Sequence, residues 1–72
     1  MDDVLEQIEK WFVYHAPKGD QIERYQKLRD KAKEFATEIA LCCPSCADRT
    51  AALRKVREAV MTANAAIACE ES

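Results

Sequence analysis

Apolar residues fall at steps of three and four in three separate stretches of this 72-residue chain. Val4, Leu5, Ile8, Trp11 and Phe12 form the first, with Asp2 and Asp3 placed to cap it, so residues 4–11 read as a short amphipathic helix. A segment of that length is too short to stand alone and needs something to dock on. Tyr25, Leu28, Ala32, Phe35, Ile39 and Cys42 form the second stretch, a coiled-coil-like seam over residues 21–42 that Ala36 and Ala40 widen on one side. Leu53, Val56, Val60, Ala63 and Ile67 repeat the seam over residues 46–68.

The breaks between these stretches carry turn chemistry. Pro17 disfavours the helical region for the residue before it, so residues 13–19, which include Tyr14-His15-Ala16-Pro17-Lys18-Gly19, read as an extended loop. Asp20 with Glu23 three residues on is a capping-box variant opening the second helix. Cys43-Pro44-Ser45 is a tight turn at residues 43–45, and Ser45 with Asp48 marks the start of the third helix. A connection this short makes its neighbours antiparallel. The fold class is therefore all-α: one domain over residues 1–72, with a short N-terminal helix and a long helical hairpin. Each hairpin arm spans ~33 Å at 1.5 Å per residue. Two helices cannot cover each other's second face, so that face expects another copy of the chain, and the fold is completed by homo-oligomerisation.

Composition sharpens that expectation. Ala supplies twelve residues, whereas Leu, Ile, Val and Phe together supply only 14, about 19% of the chain. So thin an apolar stock in so short a chain points to more than one subunit. Eleven basic and 13 acidic residues leave a net charge of −2, which argues against binding a nucleic acid polymer by bulk charge. No apolar run approaches the ~18 residues of a membrane span, and Met1-Asp2-Asp3 lacks the basic flank of a signal peptide. The expected location is cytoplasmic.

Candidate chemistry is sparse. Cys42, Cys43 and Cys46 surround a proline, but a tetrahedral metal site needs further ligands, and only Cys69 and His15 remain. In an antiparallel hairpin Cys69 falls at the end opposite the turn, so no metal is expected. A thioredoxin-type reading of Cys43-Pro44-Ser45-Cys46 lacks its βαβ context. The plainer assignment is small buried or half-buried thiols at a tight turn. His15 is the sole histidine, without an adjacent nucleophile, and neither a phosphate-binding glycine loop nor a paired-carboxylate motif is present. The chain is not expected to be an enzyme, and no cofactor is expected.

One region concentrates aromatic and cationic side chains. Tyr14, His15, Lys18, Arg24, Tyr25, Lys27 and Arg29 fall on the loop and the first turns of the helix it enters. A ring that stacks on a base beside cations that hold phosphate oxygens is the chemistry of nucleotide recognition, aided by oriented N–H groups at a helix start. On residue types alone the competing assignment is stronger: both tyrosines fill the core and the cations solvate the helix.

The run Phe12-Val13-Tyr14-His15-Ala16-Pro17-Lys18-Gly19-Asp20-Gln21, then Arg24-Tyr25, Leu28-Arg29 and Met61-Thr62-Ala63-Asn64-Ala65-Ala66-Ile67-Ala68, shifts that balance. These residues resemble the phage anti-CBASS cyclic-oligonucleotide sponge family, whose hairpin domain is shared with Thoeris anti-defence proteins, over roughly residues 12–68. The resemblance implies a homo-hexamer in the cytoplasm of the infected bacterial host. It implies binding of cyclic dinucleotide messengers such as cyclic GMP-AMP, and of cyclic trinucleotides in some members, without cleavage. It places Tyr14 against a base and Arg29 on phosphate; His15, Lys18 and Arg24, from the same loop and helix start, are secondary ligand-binding candidates positioned to close over the ligand. Two other functions compete: a helical adaptor module with no nucleotide ligand, and a small hydrolase using His15. Asn64, in an alanine-rich stretch, reads as structural.

Overall fold

The computed structural model describes residues 3–71. Its elements are α1 (Asp3–Phe12), α2 (Gln21–Cys42) and α3 (Ala47–Glu70), with no strand among the described residues. Asp2, half of the first cap signal, lies outside the described residues. The last helix starts one residue later and ends two residues beyond the span that the apolar pattern marks.

Both interior breaks start a helix without the expected side-chain capping bond, and the second does so from a different residue. Asp20 is the N-cap of α2, yet its side chain makes no capping hydrogen bond. Its Oδ1 instead accepts from Arg24 Nε at 3.1 Å, one turn into the helix. Cys46, not Ser45, is the N-cap of α3, again without a side-chain bond. At the end of α2, the Cys43 N–H donates to Ile39 O at 3.0 Å, and Pro44 then prevents the helix from continuing. Arg49 Nη1 reaches back to Ala40 O at 3.4 Å, stapling the two arms beside the turn. Cys42, Cys43 and Cys46 are exposed, which corrects the expectation of buried thiols there.

The hairpin seam follows helical geometry but chooses small residues over large ones. Leu53, Val56, Val60, Ala63 and Ile67 are all half-buried on α3, and Tyr25, Leu28, Ala32, Ala36 and Ile39 answer them on α2. Phe35 and Cys42, expected in the seam, are exposed, with Phe35 at 60%. At 100° per residue Phe35 and Ala36 flank the Leu28–Ala32–Ile39 line on opposite sides. Alanine lets the helices approach closely, so the ring is displaced to the rim of an apolar groove of about 600 Å³ lined by Leu28, Phe35, Ile39, Val56 and Ala59 among others.

α1 lies against the C-terminal end of α3. Lys10 Nζ pairs with Glu70 at 3.3 Å, and the Cys69 thiol donates to Lys10 O at 3.4 Å. The result is flat, 48 × 29 × 13 Å. Its radius of gyration is 15.5 Å, against about 11 Å for a compact 72-residue chain. The surface measures 5866 Å², about 1,300 Å² more than a compact monomer of this mass exposes. Among the described residues only Cys69 and Gln21 are buried. No helix among them is long and apolar enough to cross a membrane.

Candidate nucleotide-binding site

The loop between α1 and α2 is fixed at both ends by its own side chains. His15 Nε2 lies 2.8 Å from Lys10 O; the carbonyl only accepts, so this ring nitrogen donates. At the other end the Lys18 N–H donates to Gln21 Oε1 at 3.0 Å, and the Gln21 N–H returns to Lys18 O at 3.1 Å. Gly19 adopts φ +57°, the left-handed conformation that a residue with a side chain resists, which lets the chain turn directly into α2. Next to the first of these anchors Tyr14 stands 84% exposed, the most exposed large apolar side chain described. The core role for Tyr14 is thereby excluded, whereas Tyr25 is half-buried between the hairpin helices.

The start of α2 is clamped to the end of α3 through one carboxylate. Glu71 accepts Gln21 Nε2 at 3.3 Å and both terminal nitrogens of Arg24, Nη1 at 2.9 Å and Nη2 more closely still. Gln21 is 4% exposed, so its amide joins the loop to the clamp from inside the fold. The fork of Arg24, with Gln21 adding a third donor, lowers the Glu71 carboxyl to about 2 from an ordinary value of 4.5. Glu71 raises the Arg24 guanidinium in turn, with Asp20 contributing. The arrangement also resolves a local conflict. Glu70 and Glu71 crowd the C-terminus of α3, where the helix dipole disfavours carboxylates. Lys10 takes one and Arg24 the other.

These contacts separate the five candidate residues. Arg24 is held in a double carboxylate embrace, and Lys18 lies close enough to Glu71 to help lower its carboxyl. His15 is half-buried and engaged with the backbone. Arg29 is exposed and donates Nη1 to the neutral Gln26 Oε1 at 2.9 Å, while Gln26 Nε2 turns to Asp30 at 2.8 Å. Its charge is therefore bonded to an amide instead of a carboxylate. Arg29 stands one turn beyond Tyr25 on α2 and about 12 Å along the helix from Gln21, on the side of the hairpin facing away from the apolar groove. Chemically, the region offers a solvent-facing ring on a short anchored loop and a guanidinium two turns into the helix that follows it, suited to a flat base and an anionic oxygen.

Two features were not anticipated. The Glu71 clamp joins residues 47 and 50 apart with no periodic signal linking them. Asn64 Oδ1 is buried without a hydrogen-bond partner. The Arg49–Ala40 and Gln21–Glu71 contacts bracket the hairpin register and place Asn64 between the levels of Tyr25 and Leu28. Among the described residues no cluster of three or more His, Cys, Asp or Glu side chains is arranged to hold a metal ion.

A family model, the Acb2/Tad1 hairpin domain, matches residues 5–68. Neither the curated proteins nor the solved structures compared gave a match.

Proposed function

Because the chain belongs to the Acb2/Tad1 hairpin domain family, we propose that it is a non-enzymatic sponge that sequesters cyclic dinucleotide immune messengers, cyclic GMP-AMP among them, as a phage anti-defence protein. The observation that carries this reading is Tyr14: an 84% exposed ring on a loop anchored at both ends. A loop already anchored pays little backbone ordering entropy when a base stacks on its ring. Tyr14 takes the base, Arg29 the phosphate, and Lys18 adds charge at the loop's end. His15 positions the loop through its bond to Lys10 O, and Arg24 supports it through Glu71.

Self-association is part of the same reading. The surplus surface of about 1,300 Å² exceeds the ~800 Å² per partner of a standard interface. A two-fold contact presents each residue twice, matching the two bases and two phosphates of a cyclic dinucleotide. Two stacks at ~1–3 kcal/mol per base and two charge-assisted contacts at ~1.5–3 kcal/mol each supply about 5–12 kcal/mol, so the ~12 kcal/mol of nanomolar binding draws on further contacts such as Lys18 as well. The assembly is a homo-hexamer acting in the cytoplasm of the infected bacterial host, and cyclic trinucleotides are second ligands.

The test is substitution at the two primary residues. Tyr14→Ala and Arg29→Glu should each abolish binding of 3′,3′-cyclic GMP-AMP in calorimetric titration while leaving assembly size unchanged. Normal binding by both variants would remove these residues from the site. A stable assembly that binds no cyclic di- or trinucleotide would favour the adaptor module.

A further inference from the structure

Two incomplete surfaces on this chain have complementary shapes. α1 presents Leu5, Ile8, Trp11 and Phe12 as one stripe, between 42% and 81% exposed. Lys10 and the Cys69 contact hold the helix to the end of α3, leaving much of that stripe in solvent. The second surface is the groove between α2 and α3, where Phe35 stands on the rim at 60% exposure. Neither surface is filled by the other within one chain, because α1 sits at the open end of the hairpin whereas the groove runs along its middle.

We propose that α1 of one copy seats its Leu5–Ile8–Trp11–Phe12 stripe in the α2/α3 groove of a second copy. The proposal rests on the self-association reading above and deepens it by naming the two surfaces that meet. Length agrees: ten residues of α1 extend about 15 Å, and the groove from Leu28 to Ile39 runs about 17 Å. Anchors at i, i+3 and i+7 on one helix face are how an amphipathic helix fills an apolar groove. Charge agrees as well. α1 carries Asp3, Glu6 and Glu9, and its one cation, Lys10, is already paired with Glu70. Lys55 lines the groove, with Lys31, which pairs with Glu34 at 3.4 Å, beside it.

Area sets the scale. Each chain would give one stripe and receive another, so the surplus of about 1,300 Å² divides into about 650 Å² per side of each contact, just above the ~600 Å² lower bound for stable interfaces. Such a contact is head-to-tail, and repeated copies form a ring where the rotation closes and a filament where it does not.

The full chain tests this by sedimentation velocity, with the emission of Trp11, its sole tryptophan, as a local reporter. Leu5→Glu breaks the stripe and leaves the groove intact; Ala59→Glu does the reverse. Each variant alone should sediment as a smaller species than the wild type, the dissociation constant of this contact raised about a hundredfold by a carboxylate forced against apolar surface. A 1:1 mixture should form a larger species than either variant alone, because one intact stripe meets one intact groove, and Trp11 emission should shift to shorter wavelength on mixing. If the wild-type chain is itself monomeric, both the self-association reading and this proposal fail. If the wild type assembles and Leu5→Glu assembles equally well, or the mixture sediments no faster than the separate variants, only the seating of α1 fails. Should Leu5→Glu lose helix content, the surface exchange Glu9→Lys with Lys55→Glu carries the same test: each single change weakens assembly, and the pair together restores it.

Discussion

Phe35 separates the energetics of assembly from those of folding. A phenylalanine side chain offers roughly 200 Å² for burial. At 60% exposure Phe35 has used less than half of that within its own chain, leaving about 120 Å² for a partner, worth about 3 kcal/mol at 25 cal/mol per Å². Alanine keeps part of this, so Phe35→Ala should weaken each self-association contact by about 2 kcal/mol, roughly 30-fold in dissociation constant. The hairpin itself should hold, because Ala36 and not Phe35 fills the seam at that level. Leu53→Ala supplies the contrast: it is half-buried between the helices, and its loss should lower the stability of the hairpin by about 2 kcal/mol or more. Dilution followed by sedimentation gives the first quantity, and far-ultraviolet circular dichroism of the dilute protein gives the second. The reasoning is refuted if Phe35→Ala dissociates at the wild-type concentration, or if it loses helix where the wild type is monomeric and helical.

Other residues predict distinct outcomes. Glu71 is held at about 2 in the folded chain against 4.5 ordinarily, so its clamp on α2 is complete above about pH 4.5 and is lost as pH falls toward 2. The thermal midpoint of the wild type should therefore exceed that of Glu71→Gln at neutral pH and converge with it near pH 2; parallel curves would exclude the clamp. Asn64→Ala removes a buried acceptor without a partner and should raise stability by about 1 kcal/mol, several degrees in thermal midpoint, whereas a fall would mean that Asn64 finds a partner in the assembly. Arg29→Gln should weaken cyclic dinucleotide binding by about 1.5–3 kcal/mol in calorimetry, and Arg24→Gln much less, because Glu71 and Asp20 already hold that guanidinium. Equal losses at the two positions would contradict their division of roles.

The hairpin was legible because a 3.6-residue period leaves a plain trace: the α3 line Leu53–Val56–Val60–Ala63–Ile67 is half-buried throughout. The choice between Phe35 and Ala36 was not, since steps of three and four both continue the seam and only the partner helix decides which side must be small. Caps misled for a related reason. Asp20 has the right side chain at the right position, but Arg24, four residues on, outcompetes the backbone N–H groups for it. The Glu71 clamp left no trace, because an ion pair spanning 47 residues has no spacing rule. Tyr14 was legible as chemistry but not as exposure; its surroundings depend on the His15 and Gln21 anchors that only the folded loop assembles.

The central claim is sequestration without cleavage, and one measurement addresses both halves of it. Purified protein is titrated with 3′,3′-cyclic GMP-AMP in a calorimeter, then denatured by heat, and the released nucleotide is identified by chromatography. Nanomolar binding with the intact cyclic nucleotide recovered is the predicted result. Recovery of a linear product would make the protein a hydrolase, and absence of both heat and retained ligand, extended over a panel of cyclic di- and trinucleotides, would contradict the account.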